Sequence, residues 1–352
     1  MPNPDNILVI RLSSLGDVLM SIPAVVAVRK KYRDARIVWL VEGSVSRFLS
    51  CQNFIDEVIE FPRSSIVKDF IKGNFISAGK KINNFLKELR KTEYDIVVDL
   101  HGIIKSAIFS VITRTSRRVG YGKMYAKEKS HLFYNETVKG SDRRIHKVER
   151  NMLIAGYLGA GREVPDVELV VPDEANRYID DFLSQSDVSG PIFAVNPFFS
   201  SGSEYKRWSI DNYGSLIRKI KDETCGDVLI LWGPGEKEEA EKLRQISGNN
   251  ALLSCPTDVP QLFALLKKVD MYIGGDTGVM HLAALGGRPV VAIFGPTDVE
   301  INAPYGCNNM VVRKDLPCSP CKNKNCENRK CIENITVKDV FEAVMKMHGS
   351  IN

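Results

Sequence analysis

The sequence predicts an α/β protein made of two doubly wound domains with parallel sheets. Three observations lead there. Short apolar runs alternate with segments of helical spacing in two successive series. A Pro- and acid-rich passage, "EVPDVELVVPDEA", separates the two series. The chain of 352 residues is also long enough for two domains with real cores.

The first series opens with "NILVIRL" as a strand, and residues 17–33 follow with helical spacing. "ARIVWLVE" is the next strand. A helix near 76–91 then leads to the strand "YDIVVDL", and a basic stretch follows. In the second series "PIFAVNP" is a strand and 209–223 a helix. "DVLILWG" is a strand, with a Glu- and Lys-rich helix starting near 236. "ALLSC", "MYIGG" and "PVVAIFG" are further strands. "TVKDVFEAVMKM" closes the chain as a helix whose Thr336 and Asp339 have the spacing of a capping box. The expected domains are 1–170 and 171–352, with the final helix returning to the first. Ligands of such sheets bind at the carboxyl ends of the strands, so a cleft between facing halves is expected.

Composition narrows the class. Apolar residues make up 44% and charged residues 26%, the balance of an ordinary soluble globular protein. "MPNPDNILVIRL" lacks a cationic leader, and Arg11 interrupts its apolar run. No apolar run approaches the roughly 20 residues needed to span a bilayer. A cytoplasmic location is expected. The net charge of +5 is uneven: residues 101–150 hold 12 Lys and Arg against 4 Asp and Glu. Such a concentration fits a solvated surface or an anionic partner, whether nucleic acid, phospholipid or phosphorylated substrate. Nucleic acid is disfavoured, because the stretch lacks interleaved aromatics and any recognised module.

Four of the eight cysteines, Cys318, Cys321, Cys326 and Cys331, lie in "CSPCKNKNCENRKC". Their spacing fits a structural zinc or iron–sulfur knot, a disulfide staple or a set of reduced thiols. Disulfides are disfavoured in a cytosolic chain, and reduced thiols are preferred over metal. Cys51, Cys225, Cys255 and Cys307 read as scattered core or surface residues.

Four junctions between strand and helix can carry chemistry, since helix N-termini offer free N–H groups and a positive dipole end to phosphates. "RLSSLGDV" provides Gly16 for a tight turn but no GxGxxG fingerprint or phosphate loop, which disfavours a nicotinamide enzyme. Its Asp17 suits a helix cap, worth about 1 kcal/mol. The preceding Ser13, Ser14 and Gly16 also let a ligand approach the backbone, so ligand and base remain alternatives. In "MYIGGDTGVMHLAALGG", Asp276, Thr277 and Gly278 form a small-residue turn that can cradle a diphosphate, with His281 behind it. "NPFFSSGSEYKRWS" brings Ser201, Lys206 and Arg207 to another helix start, where cations suit phosphoryl groups. Glu236, after "LWGPG", can take ribose hydroxyls or serve as a favourable acid in a first helical turn. No DxD sequence occurs, so an enzyme handling a nucleotide diphosphate here relies on Lys, His and helix dipoles in place of a divalent metal.

Taken together, "ILVIRLSSLGDVLMSIPAV", "SEYKRWS" and "GDTGVMHLAALGGRPVVAIFGPTD" resemble glycosyltransferase family 9, the heptosyltransferases of lipopolysaccharide core assembly, over residues 6–305. Within the family, "YDIVVDLHGIIKSA" and "IHKVERN" resemble heptosyltransferase I more than II. The resemblance implies a GT-B fold, an ADP-heptose donor, no required cofactor, and inverting, metal-independent transfer to Kdo-lipid A. It implies an acceptor-binding N-terminal half and a nucleotide-sugar-binding C-terminal half. Asp17 matches the catalytic base, which deprotonates the acceptor hydroxyl as it attacks. Lys206 matches the lysine on the diphosphate, Glu236 the acid near the ribose, and Asp276, Thr277, Gly278 and His281 the phosphate-binding turn. Ser201 is a weaker match, because the 199–205 loop departs from the threonine pair of some relatives. A phosphorylated acceptor gives Ser14, Gly16, Arg63, Lys68, Arg143, Arg144 and Lys147 a role in holding it. The same charge favours the anionic inner face of the inner membrane, which makes the enzyme peripheral, and a monomer is expected. The rival expectations are a later core position, another sugar donor, or a non-catalytic glycolipid-binding protein that needs neither Asp17 nor the DTG-x-x-H turn.

Overall fold

A computed structural model describes residues 3–306, 308–321 and 323–349. Among them the chain forms two six-stranded parallel sheets, and it divides into two compact units at the Val170–Val171 bond. The first unit has strands β1 (Asn6–Ile10), β2 (Arg36–Val41), β3 (Glu57–Glu60), β4 (Ile96–Asp99), β5 (Arg117–Tyr121) and β6 (Glu136–Val138). Its helices are α1 (Leu15–Leu19), α2 (Ile22–Lys31), α3 (Val45–Ser50), α4 (Arg63–Ile71), α5 (Phe75–Leu89), α6 (Ile104–Ile112) and α7 (Lys147–Tyr157). The strand order is β3-β2-β1-β4-β5-β6. Leu8, Ile10, Val38, Leu40 and Val97 pack with Phe85, Leu89 and Phe109 of α5 and α6 as one core. The side chain of Gln52 anchors the passage that leaves this unit, holding both the N–H and the C=O of Val170.

The second unit repeats the plan. Its strands are β7 (Ile192–Asn196), β8 (Asp227–Ile230), β9 (Leu252–Leu253), β10 (Met271–Gly275), β11 (Val290–Ile293) and β12 (Asn309–Val312), in the order β12-β11-β10-β7-β8-β9. Its helices are α8 (Asp173–Ser184), α9 (Ile210–Glu223), α10 (Lys237–Ile246), α11 (Val259–Leu266), α12 (Gly278–Leu285), α13 (Val299–Asn302), α14 (Lys330–Glu333) and α15 (Val337–His348). Read from its own first strand, each sheet runs 3-2-1-4-5-6. The order therefore reverses between β1 and β4 in one unit and between β7 and β10 in the other. Those reversals open crevices at the strand ends, where such sheets bind ligands.

Several expected elements change in detail. The helix expected over 17–33 is two helices, α1 and α2. The break falls at Met20–Ser21, where Ser21 Oγ bonds back to the Val18 carbonyl at 2.7 Å and Pro23 sits in the first turn of α2. Proline fits there because the first turn needs no donor. "ALLSC" pairs only through Leu252–Leu253. The basic stretch folds as α6, β5, β6 and the start of α7, with turns between them. The final helix has its capping box, Thr336 with Asp339, and packs on α9, β11 and β12 of its own unit. Among the described residues no helix is long and apolar enough to cross a membrane.

Candidate active site

At the β1–β4 reversal the chain leaves β1 through Arg11 and enters α1. Ser14, not Asp17, occupies the cap position, and its hydroxyl donates to the Asp17 carboxylate at 3.2 Å. Asp17 is the third helical residue, so capping does not explain it. Its Oδ1 instead takes two cations, Arg11 at 3.1 Å and Lys147 at 2.7 Å. Lys147 comes from the start of α7. That helix is fixed one turn later, where Asn151 donates to the Met20 carbonyl at 2.8 Å and accepts from the Tyr121 hydroxyl. Burial pushes the Asp17 carboxyl up, but the Arg11 and Lys147 charges outweigh it and hold the group well below the ordinary carboxylate range. Asp17 is thus an anion at any physiological pH.

The loop after β4 closes the other side. His101 Nδ1 accepts from the Leu12 N–H at 3.3 Å. Burial, reinforced by the Arg11 charge, pushes the imidazole down to about 3, so it is neutral. Asp99 lies wholly buried, and among the described residues no cation pairs with it. It accepts from the N–H groups of His101 and Gly102 at 2.7 and 3.0 Å and from the Tyr134 hydroxyl at 2.7 Å. Burial raises its carboxyl against those donors. Asp99 thereby sets the turn that presents His101.

The other basic candidates are more open to solvent. Arg63, at the start of α4, stands 4.0 Å from Glu42, which already binds Lys105 at 2.5 Å. Lys68 lies exposed on α4, and Arg143 and Arg144 are exposed before α7. Gly16 is buried inside α1. Of the acceptor candidates, the structure gathers Ser14, Gly16 and Lys147 around Asp17. Sequence reasoning passed over Arg11, His101 and Asp99. The signal for Arg11 was an arginine ending an apolar strand, since such a charge needs a partner.

At the β7–β10 reversal the second set assembles. Asp276, just past β10, pairs with Lys206 at 2.8 Å. Thr277 caps α12, accepting from the Met280 N–H at 3.4 Å, and Gly278 is the first helical residue. Buried His281 points Nε2 at Asp276, 3.9 Å away. The glycines here have steric reasons. A Cβ on Gly274 would stand 2.8 Å from the Asn196 carbonyl and 2.5 Å from the Tyr272 hydroxyl, and one on Gly275 would enter the Phe199 ring. Glu236 precedes α10 and folds back to accept from the Gly233 N–H at 2.7 Å, while burial raises its carboxyl. Ser201 is exposed at the tip of the loop that precedes Lys206. Arg207 turns away from this set to Glu239 at 2.6 Å and the Phe198 ring.

The cysteine segment is tied to the loop after β11, with Ser319 Oγ bonding to the Gly295 carbonyl and Cys321 N–H to that of Pro296. Cys331 lies buried in α14; burial and then the neighbouring Cys321, Cys318 and Cys326 push its thiol up. The seven described cysteines are free thiols, and no group of donors placed to hold a metal occurs among the described residues. Cys307 lies outside the described residues.

Two doubly wound units with charged groups at both reversals define a GT-B type of glycosyltransferase architecture. Solved structures agree over nearly the whole chain. The Escherichia coli heptosyltransferase WaaC with ADP-2-deoxy-2-fluoro heptose has a TM-score of 0.74 at 23% identity, covering 97% of this chain and 99% of that one. A glycosyltransferase family 9 structure from Veillonella parvula has a TM-score of 0.82 at 17% identity, covering 98% of each chain. The sequence profile of glycosyltransferase family 9 (heptosyltransferase) matches residues 82–332, and the chain belongs to that family. It is a glycosyltransferase. Among curated relatives, lipopolysaccharide heptosyltransferase 1 of E. coli K12 is 27% identical, with 87% of this chain and 93% of the relative covered. A lipooligosaccharide heptosyltransferase 2 of Campylobacter jejuni is 26% identical, with 93% of each covered.

Proposed function

We propose that the enzyme transfers L-glycero-D-manno-heptose from ADP-heptose to the Kdo of a Kdo-lipid A acceptor in lipopolysaccharide core assembly, with inversion and without a metal. The observation that carries this reading is the Asp17 carboxylate, ionised and fixed by Arg11 and Lys147 at a strand-end reversal. In this reading the acceptor binds the first unit and the donor the second. One Asp17 oxygen accepts the proton of the acceptor hydroxyl as the acceptor's oxygen forms its bond to the anomeric carbon. The anomeric carbon–oxygen bond to ADP breaks on the opposite face, and the electron pair leaves with the diphosphate. Lys206, the Thr277 hydroxyl and the N–H groups opening α12 take up that charge. Glu236 holds ribose hydroxyls and His281 backs the anion turn. Lys147 restrains the basicity of Asp17, and an acceptor phosphate or carboxylate that draws Lys147 away releases it. The enzyme works as a cytoplasmic protein peripheral to the inner membrane.

The test is transfer from ADP-heptose to Kdo-lipid A in EDTA, for wild type, Asp17→Asn and Asp17→Ala. Transfer by wild type and its loss in both variants, with ADP binding kept, is the expected result. Activity in both variants removes Asp17 as the base. ADP binding unchanged by Lys206→Met removes the donor assignment. Relatives of both heptosyltransferase types match this chain. An acceptor already carrying one heptose is therefore run alongside, and transfer to that acceptor alone assigns the later core position.

A further inference from the structure

We propose that the hairpin of α4 and α5 is a membrane-docking surface that sinks its apolar corner into an anionic bilayer. The inference deepens the proposed function, since a lipid-linked acceptor lies in such a bilayer. Most long apolar side chains of the first unit are buried, but this corner gathers five that are not. Ile71 is 81% exposed, Ile76 79% and Phe75 65%, with Phe70 and Val67 beside them. Their exposure does not come from loose packing. The same two helices bury Ile66, Ala78, Phe85 and Leu89 on the other side, and Phe85 packs on Phe61 and Phe109 in the core. The corner has defined geometry. Gly73 turns at φ +73°, Asn74 N–H bonds to the Asp69 carbonyl at 2.8 Å, and the Phe70 and Phe75 rings meet edge to face at 5.9 Å.

Charge identifies the occupant. Residues 63–89, the span of α4 and α5, carry six cations, Arg63, Lys68, Lys72, Lys80, Lys81 and Lys87, and two acids, Asp69 and Glu88. Asp69 faces inward on Ser77 at 2.6 Å and Lys81 at 2.8 Å, and Glu88 stands in the last turn of α5, away from the corner, so the exposed charge beside the corner is cationic. An apolar tip inside a cationic rim matches the layering of a bilayer surface, with acyl chains below anionic headgroups. A second copy of this chain would bring the same cationic rim against itself. An apolar surface cluster of this kind marks an interaction site.

The experiment is co-sedimentation of the full chain with vesicles of phosphatidylethanolamine and roughly one-quarter phosphatidylglycerol, and with pure phosphatidylcholine. Wild type should partition onto the anionic vesicles. Ile71→Asp/Ile76→Asp should bind about tenfold more weakly or worse. Both side chains are exposed, so the melting profile should not move. Lys72→Ser/Lys80→Ser should lose the preference for anionic lipid. Equal binding by Ile71→Asp/Ile76→Asp and wild type overturns the proposal, and so does a wild type that ignores both vesicles. A wild-type dimer in sedimentation velocity that the isoleucine variant abolishes also overturns it, assigning the corner to a second copy. A wild type that binds vesicles but transfers no heptose leaves this surface standing and strikes the proposed function alone.

Discussion

Removing Lys147 should have opposite effects on stability depending on whether Asp17 is charged. Arg11 and Lys147 share one carboxylate oxygen, at 3.1 and 2.7 Å. Their charged nitrogens therefore stand no more than about 6 Å apart. At an effective dielectric near 20, the shorter ion pair is worth about 6 kcal/mol before desolvation, and two cations about 6 Å apart repel by about 3 kcal/mol. Asp17 is 23% exposed and Lys147 24%, so solvent screening and desolvation reduce both figures. Lys147→Met should then cost about 2 kcal/mol in the wild type. In an Asp17→Asn background the same change removes only repulsion and should restore about 1 kcal/mol, a coupling near 3 kcal/mol. The assay is urea unfolding at low salt, read by hydrogen exchange in β1 and β4 so that the first unit is followed. An equal cost for Lys147→Met in both backgrounds would refute the shared-oxygen account. The sign with pH is also fixed. Asp17 has a depressed folded pKa, so its contribution is complete above the unfolded value near 4 and is lost as pH falls below it. The Asp17→Asn penalty should be flat from pH 8 to about pH 5 and shrink in acid.

His101 gives a pH dependence of the same sign in a higher window. Its folded pKa is about 3, so below pH 6.5 the unfolded chain takes a proton that the folded chain refuses, and stability falls. Between pH 7.5 and 5 the wild type should lose about 2 kcal/mol relative to His101→Gln, measured as the change in their unfolding difference. At the other site, Gly274→Ala drives a Cβ against the Asn196 carbonyl, a backbone atom that cannot swing away. It should destabilise the second unit by about 1–3 kcal/mol and weaken ADP binding in calorimetry. An alanine variant that binds ADP normally would show that the strand end tolerates the extra carbon.

The strands legible in the sequence are mostly those buried in the middle of each sheet, β1, β2 and β4 in one and β7, β8, β10 and β11 in the other, with the short edge strand β9 besides. The ones missed give a weak apolar signal because their positions do not demand a strong one. β3, β6 and β12 are edge strands, and "EVIE", "ETV" and "NMVV" are short and partly exposed. Arg117 of β5 and Glu136 of β6 satisfy each other across the sheet at 2.7 Å, a pairing that makes charged strand residues affordable. The same distinction divides the sites. Asp17 and the Asp276–Thr277–Gly278 turn stand out because local spacing carries them. His101 and the Asp17 contact of Lys147 depend on strand order and on the docking of α7, which no short window contains. Asp17 itself read first as a cap, and only the structure assigns that position to Ser14.

The Lys206–Asp276 pair has a consequence for turnover. Asp276 supplies the lysine with a counter-charge at 2.8 Å. Under the proposed donor assignment, a diphosphate that takes Lys206 exchanges one anionic partner for another, so the net gain is smaller than a bare lysine would give. On that proposal arrival is moderated and departure eased, as the aspartate is at hand to reclaim the ammonium when the spent nucleotide goes. A catalyst that must shed its product each cycle gains throughput from a lysine that does not hold on.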